Sequence, residues 1–167
     1  MPVNPEKSSK PAPTEAELQA DVLTIGRIEA IPTLLNVVCR MTKLRFAAVA
    51  RVTEDRWIAC QVRDELDFGL KPGGELQIET TICNQIRQHG RPVVIDHVAA
   101  SEAFCGHPVP ARYGFQSYIS LPIVLPDGSF FGTLCALDPL PSKLNNDEVI
   151  GMFKLFSELV AFHFEAQ

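Results

Sequence analysis

Residues 113–138, with the sequence YGFQSYISLPIVLPDGSFFGTLCALD, constrain the fold more than any other part of the chain. They contain two runs of β-forming residues, 117–125 and 129–137, joined by a Pro-Asp-Gly turn at 126–128. Proline fixes φ at a turn and Asp-Gly tolerates positive φ, so the pattern predicts a β-hairpin. Because both runs are apolar at nearly every position, we expect the hairpin to be covered on both faces and to lie centrally in its sheet.

The two sides of this hairpin differ in polarity. The first strand presents only aliphatic side chains on one side, those of Ile119, Leu121, Ile123 and Leu125. On the other side Tyr118 and Ser120 add polar atoms, which favours helices against the aliphatic side and a ligand cavity against this one. Strict alternation in the second strand places Phe131 on the same side as Thr133.

Composition bounds the class of protein. A chain of 167 residues with 46% hydrophobic and 21% charged residues is expected to form one soluble globular domain with a sizeable core. A formal charge of −5 gives no attraction for nucleic acid or an anionic membrane, and no apolar run approaches the length of a membrane span. Five cysteines at irregular spacing argue against a disulfide framework and favour a reducing cytoplasm.

Local signals define the first elements of the chain. Residues 1–13 carry four prolines and few apolar side chains, so we expect a disordered tail ahead of a single domain over 14–167. Thr14 and Glu17 have the spacing of a capping box at the start of a helix. Pro32 lacks the N–H that a helix interior needs, which predicts a break there or the start of a second helix.

Three strands are predicted ahead of the hairpin, at 46–52, 57–62 and 92–95. The last begins with proline and is expected at a sheet edge. Thr80 or Thr81 is predicted to cap a short helix over 82–89 that ends at Gly90. Residues 96–114 show no periodicity, and an irregular segment of that length inside a domain is expected to be functional.

The last helix, capped by Asn145 or Asn146, is more hydrophobic than one core requires. Its predicted core stripe consists of Val149, Met152, Phe153, Phe156, Leu159 and Val160. Leu155 and Phe162 lie on another face, which predicts a homodimer through the terminal helices. The order of elements gives an antiparallel sheet with helices segregated to its faces, an α+β fold.

The hairpin and its surroundings resemble GAF domains, which are small-molecule-sensing modules of signalling proteins. The resemblance extends over most of residues 16–166 and is carried by Ser-Leu-Pro-Ile at 120–123, the turn at 127–128, and Phe-Gly-Thr-Leu at 131–134 followed by Leu-Asp at 137–138. It implies a central antiparallel sheet with the terminal helices on one face, and a pocket and long loop on the other.

Within that family, residues 105–108, 113–118 and 161–167 look most like the N-terminal sensory GAF domains of bacterial sensor histidine kinases. In such proteins the last helix continues into a coiled coil. The resemblance implies that a bound small molecule shifts the pose of the terminal helices, as a population shift between two packings. The alternative is a GAF module used only for dimerisation, with a filled core in place of the pocket.

The candidate ligand-binding residues lie on the hairpin and in the irregular segment. They are His97, Phe104, Cys105, His107, Tyr113, Tyr118 and Ser120. Cys105 and His107 lack the second ligand pair of a metal site, so no metal is predicted. No cofactor is predicted either. Covalent chromophore attachment as in phytochromes is not expected, because Gly106 separates Cys105 from His107, whereas in phytochromes the cysteine adjoins the histidine, and because their upstream Asp-Ile-Pro motif is absent. The cyclic-nucleotide-binding signature of other GAF domains is absent as well.

An enzymatic alternative rests on a resemblance to free methionine-(R)-sulfoxide reductases. Cys83 and Cys105 lie where those enzymes carry cysteines. However, Tyr118, Cys135 and Leu137 stand at the positions of the carboxylates that hold the substrate in that family. We therefore expect a protein that is not an enzyme and has no catalytic residue.

Overall fold

The computed structural model describes residues 11–167, which form one antiparallel sheet of six strands with helices on both faces. The helices are α1 (Glu15–Arg27), α2 (Ala30–Thr42), α3 (Cys83–His89), α4 (Pro108–Tyr113) and α5 (Asp147–Glu165). The strands are β1 (Phe46–Val52), β2 (Trp57–Asp64), β3 (Glu75–Leu76), β4 (Val93–Ile95), β5 (Ser117–Val124) and β6 (Phe130–Asp138). The strand order β3-β2-β1-β6-β5-β4 confirms the α+β fold, the central hairpin β5–β6 and the edge position of β4.

The predicted helix starts at both ends of the domain are confirmed. The Thr14 hydroxyl accepts a hydrogen bond from the Glu17 amide at 3.1 Å, and the Asn146 side chain accepts one from the Val149 amide at 2.9 Å. Residues 1–10, which hold most of the predicted tail, lie outside the described residues, so the tail stays a prediction.

α1, α2 and α5 cover one face of the sheet. Their buried side chains, such as Leu18, Leu35 and Phe153, form one cluster with the aliphatic side of β5. α1 and α2 meet at a 71° bend, and Pro32 lies in the first turn of α2, where its missing N–H is not needed. In the described part of the chain, no single helix is long and apolar enough to span a bilayer; only α1 and α2 together meet that criterion, across the bend.

One residue of the predicted core stripe on α5 is misplaced. Leu159 is 38% exposed, whereas Phe153 and Val160 are fully buried as predicted. Ser157 and Ala161 are turned inward in place of Leu159.

The prediction of strict alternation in β6 is wrong at Phe131. Ile123 pairs with Gly132 and the next residue of β5 pairs with Phe130, so Phe131 is the extra residue of a β-bulge. The bulge turns Phe131 toward the helices instead of placing it beside Thr133. A Cβ on Gly132 would lie 1.8 Å from the Ala50 carbonyl oxygen, so only glycine lets β6 approach β1 this closely.

Two further local predictions are wrong. Neither Thr80 nor Thr81 caps α3, because their hydroxyls donate to the carbonyls of Gln77 and Ile78 in the preceding 3-10 turn. Residues 96–114 are not irregular throughout, since they contain a 3-10 turn and α4. His107 starts α4 by accepting a hydrogen bond from the Val109 amide on Nδ1, a role that the sequence pattern did not show.

Candidate functional site

A small cavity of about 40 Å³ lies on the face of the sheet opposite α1, α2 and α5. Its floor is formed by side chains of β1, β2, β5 and β6, namely those of Phe46, Trp57, Tyr118, Cys135 and Leu137. The edge strand β3 adds Leu76 to this floor, and the cover comes from α3, α4 and the loops beside them, with Phe68, Thr81, Ile82, Cys83, Val109, Tyr113 and Phe115. A space of that size has room for roughly one to three water molecules.

None of the thirteen described residues that line the cavity is Asp, Glu, Lys, Arg or His. Most are aromatic or aliphatic, and the polar atoms among them are hydroxyls, thiols and one indole N–H. A charge brought into such surroundings would lose its hydration without gaining an ionic partner, which costs several kcal/mol. The cavity is therefore chemically suited to a neutral molecule.

Cys83 lies at the centre of the polar atoms beside the cavity. It is the first residue of α3, and α3 contacts β5 and β6, so its thiol is directed at the middle of the hairpin. The Cys83 sulfur lies 3.2 Å from the Thr133 hydroxyl, 3.5 Å from that of Tyr118 and 4.0 Å from that of Ser120. Ser120 faces Cys135 across the hairpin, so five polar groups meet in a buried cluster.

The two thiols of this cluster have opposite acidity. The hydrogen bond with Cys135 lowers the pKa of Cys83. Burial acts in the opposite direction and raises this pKa, whereas the hydroxyls of Thr133 and Tyr118 lower it further, so that the net pKa is lowered. The same hydrogen bond, together with burial, raises the pKa of Cys135 well above its ordinary value. Burial and the neighbouring Cys83 also raise the pKa of Tyr118. Of the two thiols, that of Cys83 therefore loses its proton first.

Trp57 contributes an unsatisfied donor to the same cavity. The residue is only 2% exposed, and its indole N–H meets no acceptor with hydrogen-bond geometry among residues 11–167. Trp57 interacts only weakly with the Cys83 sulfur. Among the groups that lower the pKa of that thiol, Trp57 has the smallest effect. A buried donor without a partner costs about 1–3 kcal/mol. An acceptor group placed in the cavity would remove that cost.

Aromatic contacts and hydrogen bonds hold the part of the cover that contains Phe68 and Tyr113. Phe68 packs between Phe46 and Tyr113, with ring centroids 5.2 and 5.8 Å away. Its loop is shaped by the Asp64 carboxylate, which accepts hydrogen bonds from the Phe68 amide and from two neighbouring amides. The Tyr113 hydroxyl is hydrogen-bonded to that of Thr80. These contacts join the Phe68 loop to β1 and to α4.

The candidate residues are distributed over three places. Tyr113 and Tyr118 line the cavity, and Ser120 lies below it beside Cys83. The rings of Phe104 and His107 pack against each other outside the lining, with centroids 5.5 Å apart and planes tilted by 40°. Cys105 and His97 are exposed. The Cys105 thiol is hydrogen-bonded to the nearby Glu102 carbonyl, and His97 lies in a different groove at the end of the sheet. Ligand contact by any of the seven remains a prediction.

Sequence reasoning missed the roles of Trp57, Phe68 and Cys135 at the cavity. Their contribution depends on which strands are neighbours and which side faces the cover, and neither follows from local pattern. The sequence places Cys83 at the start of a predicted helix, but that position alone does not decide which way its thiol faces. In the described residues, no three His, Cys, Asp or Glu side chains are grouped closely enough to hold a metal ion.

Residues 26–164 match the family model described as the GAF domain. Among solved structures, the GAF domain region of a putative membrane protein from Geobacter sulfurreducens PCA is 16% identical with a TM-score of 0.68, covering 90% of this chain and 99% of that one. The GAF-B domain of DevS from Mycobacterium smegmatis is 14% identical with a TM-score of 0.61, covering 87% and 93%.

A third similar structure is an enzyme. The free methionine-R-sulfoxide reductase from Neisseria meningitidis, solved with its substrate, is 17% identical with a TM-score of 0.60. The match covers 90% of this chain and 88% of that one. Likeness at such identities shows a shared fold alone. No curated protein sequence matches the chain.

Proposed function

Because residues 26–164 match its family model, the chain belongs to the GAF domain family, and we propose that it is a sensory domain that binds an uncharged small molecule. The observation that carries the proposal is the cavity beneath α3 and α4, with its uncharged lining and the unsatisfied indole N–H of Trp57. The ligand is an apolar molecule with one hydrogen-bond acceptor for that donor.

Binding requires the cavity to grow, because sites for small molecules usually measure about 300–1,000 Å³. The covering side chains of Phe68 and Tyr113 are the ones that move, since the floor belongs to a continuous sheet and the cover does not. The ligand then selects an open conformation that is a minor state of the free protein.

The signal is relayed through the hairpin. Tyr118 and Cys135 face the cavity, while Ile119 and Leu134 belong to the cluster beneath the helices. β5 contacts α5, and β1 contacts α1 and α2. A change in the cavity that moves the hairpin therefore changes the packing of the terminal helices, which is a switch between discrete arrangements.

We also propose that the protein is a homodimer through these helices. Leu155, Leu159 and Phe162 on α5 are 53%, 38% and 66% exposed, and their spacing places them in one stripe. Leu23 on α1 is 55% exposed as well. On the resemblance to sensor histidine kinases, the domain would serve a cytoplasmic two-component system.

An enzymatic role is the second candidate, because a similar structure is a free methionine sulfoxide reductase. A free amino acid is a zwitterion, and no Asp, Glu, Lys, Arg or His lines this cavity to pair with either of its charges. We therefore propose a binding domain without catalytic activity. Turnover of free methionine sulfoxide with a thiol reductant would contradict this.

The test exploits the fact that Trp57 is the only tryptophan in the chain. A library of neutral and charged small molecules is screened for raised melting temperature, and each hit is then titrated against tryptophan emission. We expect neutral hits that shift the Trp57 emission and bind about tenfold more weakly, by calorimetry, to Trp57→Phe, because that variant lacks the indole donor. Hits that are uniformly charged, or that leave the emission unchanged, would contradict the proposal.

A further inference from the structure

A second cavity lies at the end of the sheet where β1 begins and β4 and β6 end. It is a groove of about 690 Å³ between the C-terminal end of α2 and the segment that follows β6. It is open to solvent, and none of the thirteen residues that line the smaller cavity belongs to it. The two sites are therefore separate.

The floor of the groove is rigid. The buried Asp138 carboxylate accepts hydrogen bonds from Arg45 Nε at 2.8 Å and Nη2 at 3.0 Å. Asp96 accepts hydrogen bonds from the Leu144 and Asn145 amides at 3.0 and 2.8 Å. These contacts join the ends of β1, β4 and β6 to the segment before α5. The groove is thus formed before any partner binds, and both of its carboxylates are already engaged.

The rim of the groove combines exposed apolar and cationic side chains. Met41 is 68% exposed, the largest value among the bulky apolar residues of 11–167, and Leu140 is 63% exposed. Lys43 and Lys143 line the same groove and form no ion pair with a described residue. Methionine adapts its shape to different partners, and such surfaces are typical of peptide recognition.

The charge of the groove is opposite to that of the chain. Three lysine and arginine side chains and His97 face two engaged carboxylates there, whereas the whole chain has a formal charge of −5. An acidic partner is repelled by most of the molecule and attracted to this groove, which guides it to one orientation.

We infer that this groove docks an acidic peptide segment of a partner protein, one that alternates carboxylates with apolar side chains. Met41 and Leu140 contact its apolar side chains, and Lys43 and Lys143 pair with its carboxylates. A small organic anion could pair with the lysines but would leave the exposed apolar side chains of Met41 and Leu140 uncovered. An extended chain can lie along such a groove and cover both exposed apolar residues at once.

The probe is a library of random twelve-residue peptides displayed on phage and selected on the full chain. We expect recovered peptides to be enriched in Asp or Glu together with Leu, Ile or Phe. Synthetic copies should lose at least tenfold in affinity against Lys43→Glu/Lys143→Glu, measured by fluorescence anisotropy. They should also lose affinity against Met41→Ser/Leu140→Ser, which keeps the charge.

The matched control is Lys71→Glu/Lys154→Glu, which changes the net charge equally at exposed lysines outside the groove. We expect it to bind the peptides as the parent chain does, apart from a small salt-dependent decrease. Equal weakening by both charge-reversal variants would overturn the inference, because the attraction would then be non-specific. Failure to recover acidic apolar peptides, or full displacement of them by millimolar citrate, would overturn it as well, the latter in favour of a small-anion site.

Discussion

The cavity beneath α3 and α4 and the groove at the end of the sheet differ in size, in charge and in what limits binding. The cavity measures about 40 Å³, is lined by uncharged residues and is covered by aromatic side chains. The groove measures about 690 Å³ and is lined by apolar residues together with charged ones. On the two proposals, binding in the cavity has to overcome the free energy of opening its cover, whereas binding in the groove depends on the contacts that the groove can offer.

The volume of a space therefore does not indicate whether a molecule bound there can affect the terminal helices. The larger space lies at the end of the sheet, where a partner can attach without moving any strand. The smaller one lies above the central strands whose opposite side carries α1, α2 and α5. A ligand in the smaller cavity therefore has the shorter physical route to the terminal helices.

The largest expected effect comes from putting a charge into the uncharged cavity. Cys135→Asp places a carboxylate in a fully buried position without a cation, and we expect the free energy of unfolding to fall by at least about 3 kcal/mol at pH 7. The matched control is Cys105→Asp at the exposed cysteine, with a change within about 0.5 kcal/mol. Urea denaturation measures both, and equal stability of the two variants would show that the cavity is not a low-dielectric site.

The next effect concerns the floor of the groove. Burial raises the pKa of Asp138, but hydrogen bonds from Arg45 and the Leu140 amide outweigh it, so the net pKa is lowered. A carboxylate with a lowered folded-state pKa stabilises the protein above its unfolded pKa, and this contribution is lost as the pH falls through the folded value. We expect Asp138→Asn to cost about 1–2 kcal/mol at pH 7, discounted because Arg45 is 44% exposed.

The pH dependence of this loss of stability provides a control for Asp138→Asn. Because acid protonates Asp138 in the parent chain, the difference in unfolding free energy between parent and Asp138→Asn should shrink as the pH falls below the ordinary aspartate range. Chemical denaturation at pH 7 and at about pH 3 compares the two. A difference that stays constant over that range would mean that the Asp138 charge does not stabilise the floor.

A smaller effect tests how the cover is closed. Tyr113→Phe removes the hydrogen bond with Thr80, and we expect a loss of about 1 kcal/mol in unfolding free energy. Hydrogen exchange should increase in α4 and around Phe68 while the floor of the groove stays protected. Thr80→Val should have the same effect, and the double variant should add little to it. Additive losses would indicate that the two hydroxyls act independently.

The smallest effect on stability is expected for a comparison of the exposed apolar surface of α5 with that of the groove. Leu155→Glu/Phe162→Glu alters exposed positions of α5, so we expect a folded monomer whose unfolding free energy changes by less than about 1 kcal/mol beyond the loss of association. Met41→Glu/Leu140→Glu at the groove should remain dimeric. Light scattering at high micromolar concentration distinguishes them. A monomeric parent chain would rule out the dimer.

The sequence specifies the fold more fully than it specifies the site. The turn at 126–128, the capping residue Thr14 and the apolar runs of the hairpin are local signals, and each leads to the observed element. The bulge at Phe131 is not local, because it depends on how β6 meets both β1 and β5.

The candidate site shows the same limit. Tyr113 and Tyr118 were predicted because they lie on or beside the hairpin, and both line the cavity. Trp57 was not predicted to line the cavity, because its position there depends on the strand order. His97 lies in the groove because the chain turns away from the cavity immediately after β4. Proximity in sequence to the hairpin does not determine which end of the sheet a side chain occupies.

The most direct test of the proposed sensing role is a crystal structure of the chain with a neutral small molecule that raises its melting temperature. We expect the molecule between the hairpin and α4, with an acceptor atom about 3 Å from the Trp57 indole nitrogen and with Phe68 and Tyr113 displaced. The floor strands should keep their register. A molecule bound in the groove beside Lys43 and Lys143, or on α5 beside Phe162, with the cavity unchanged, would contradict the proposed site.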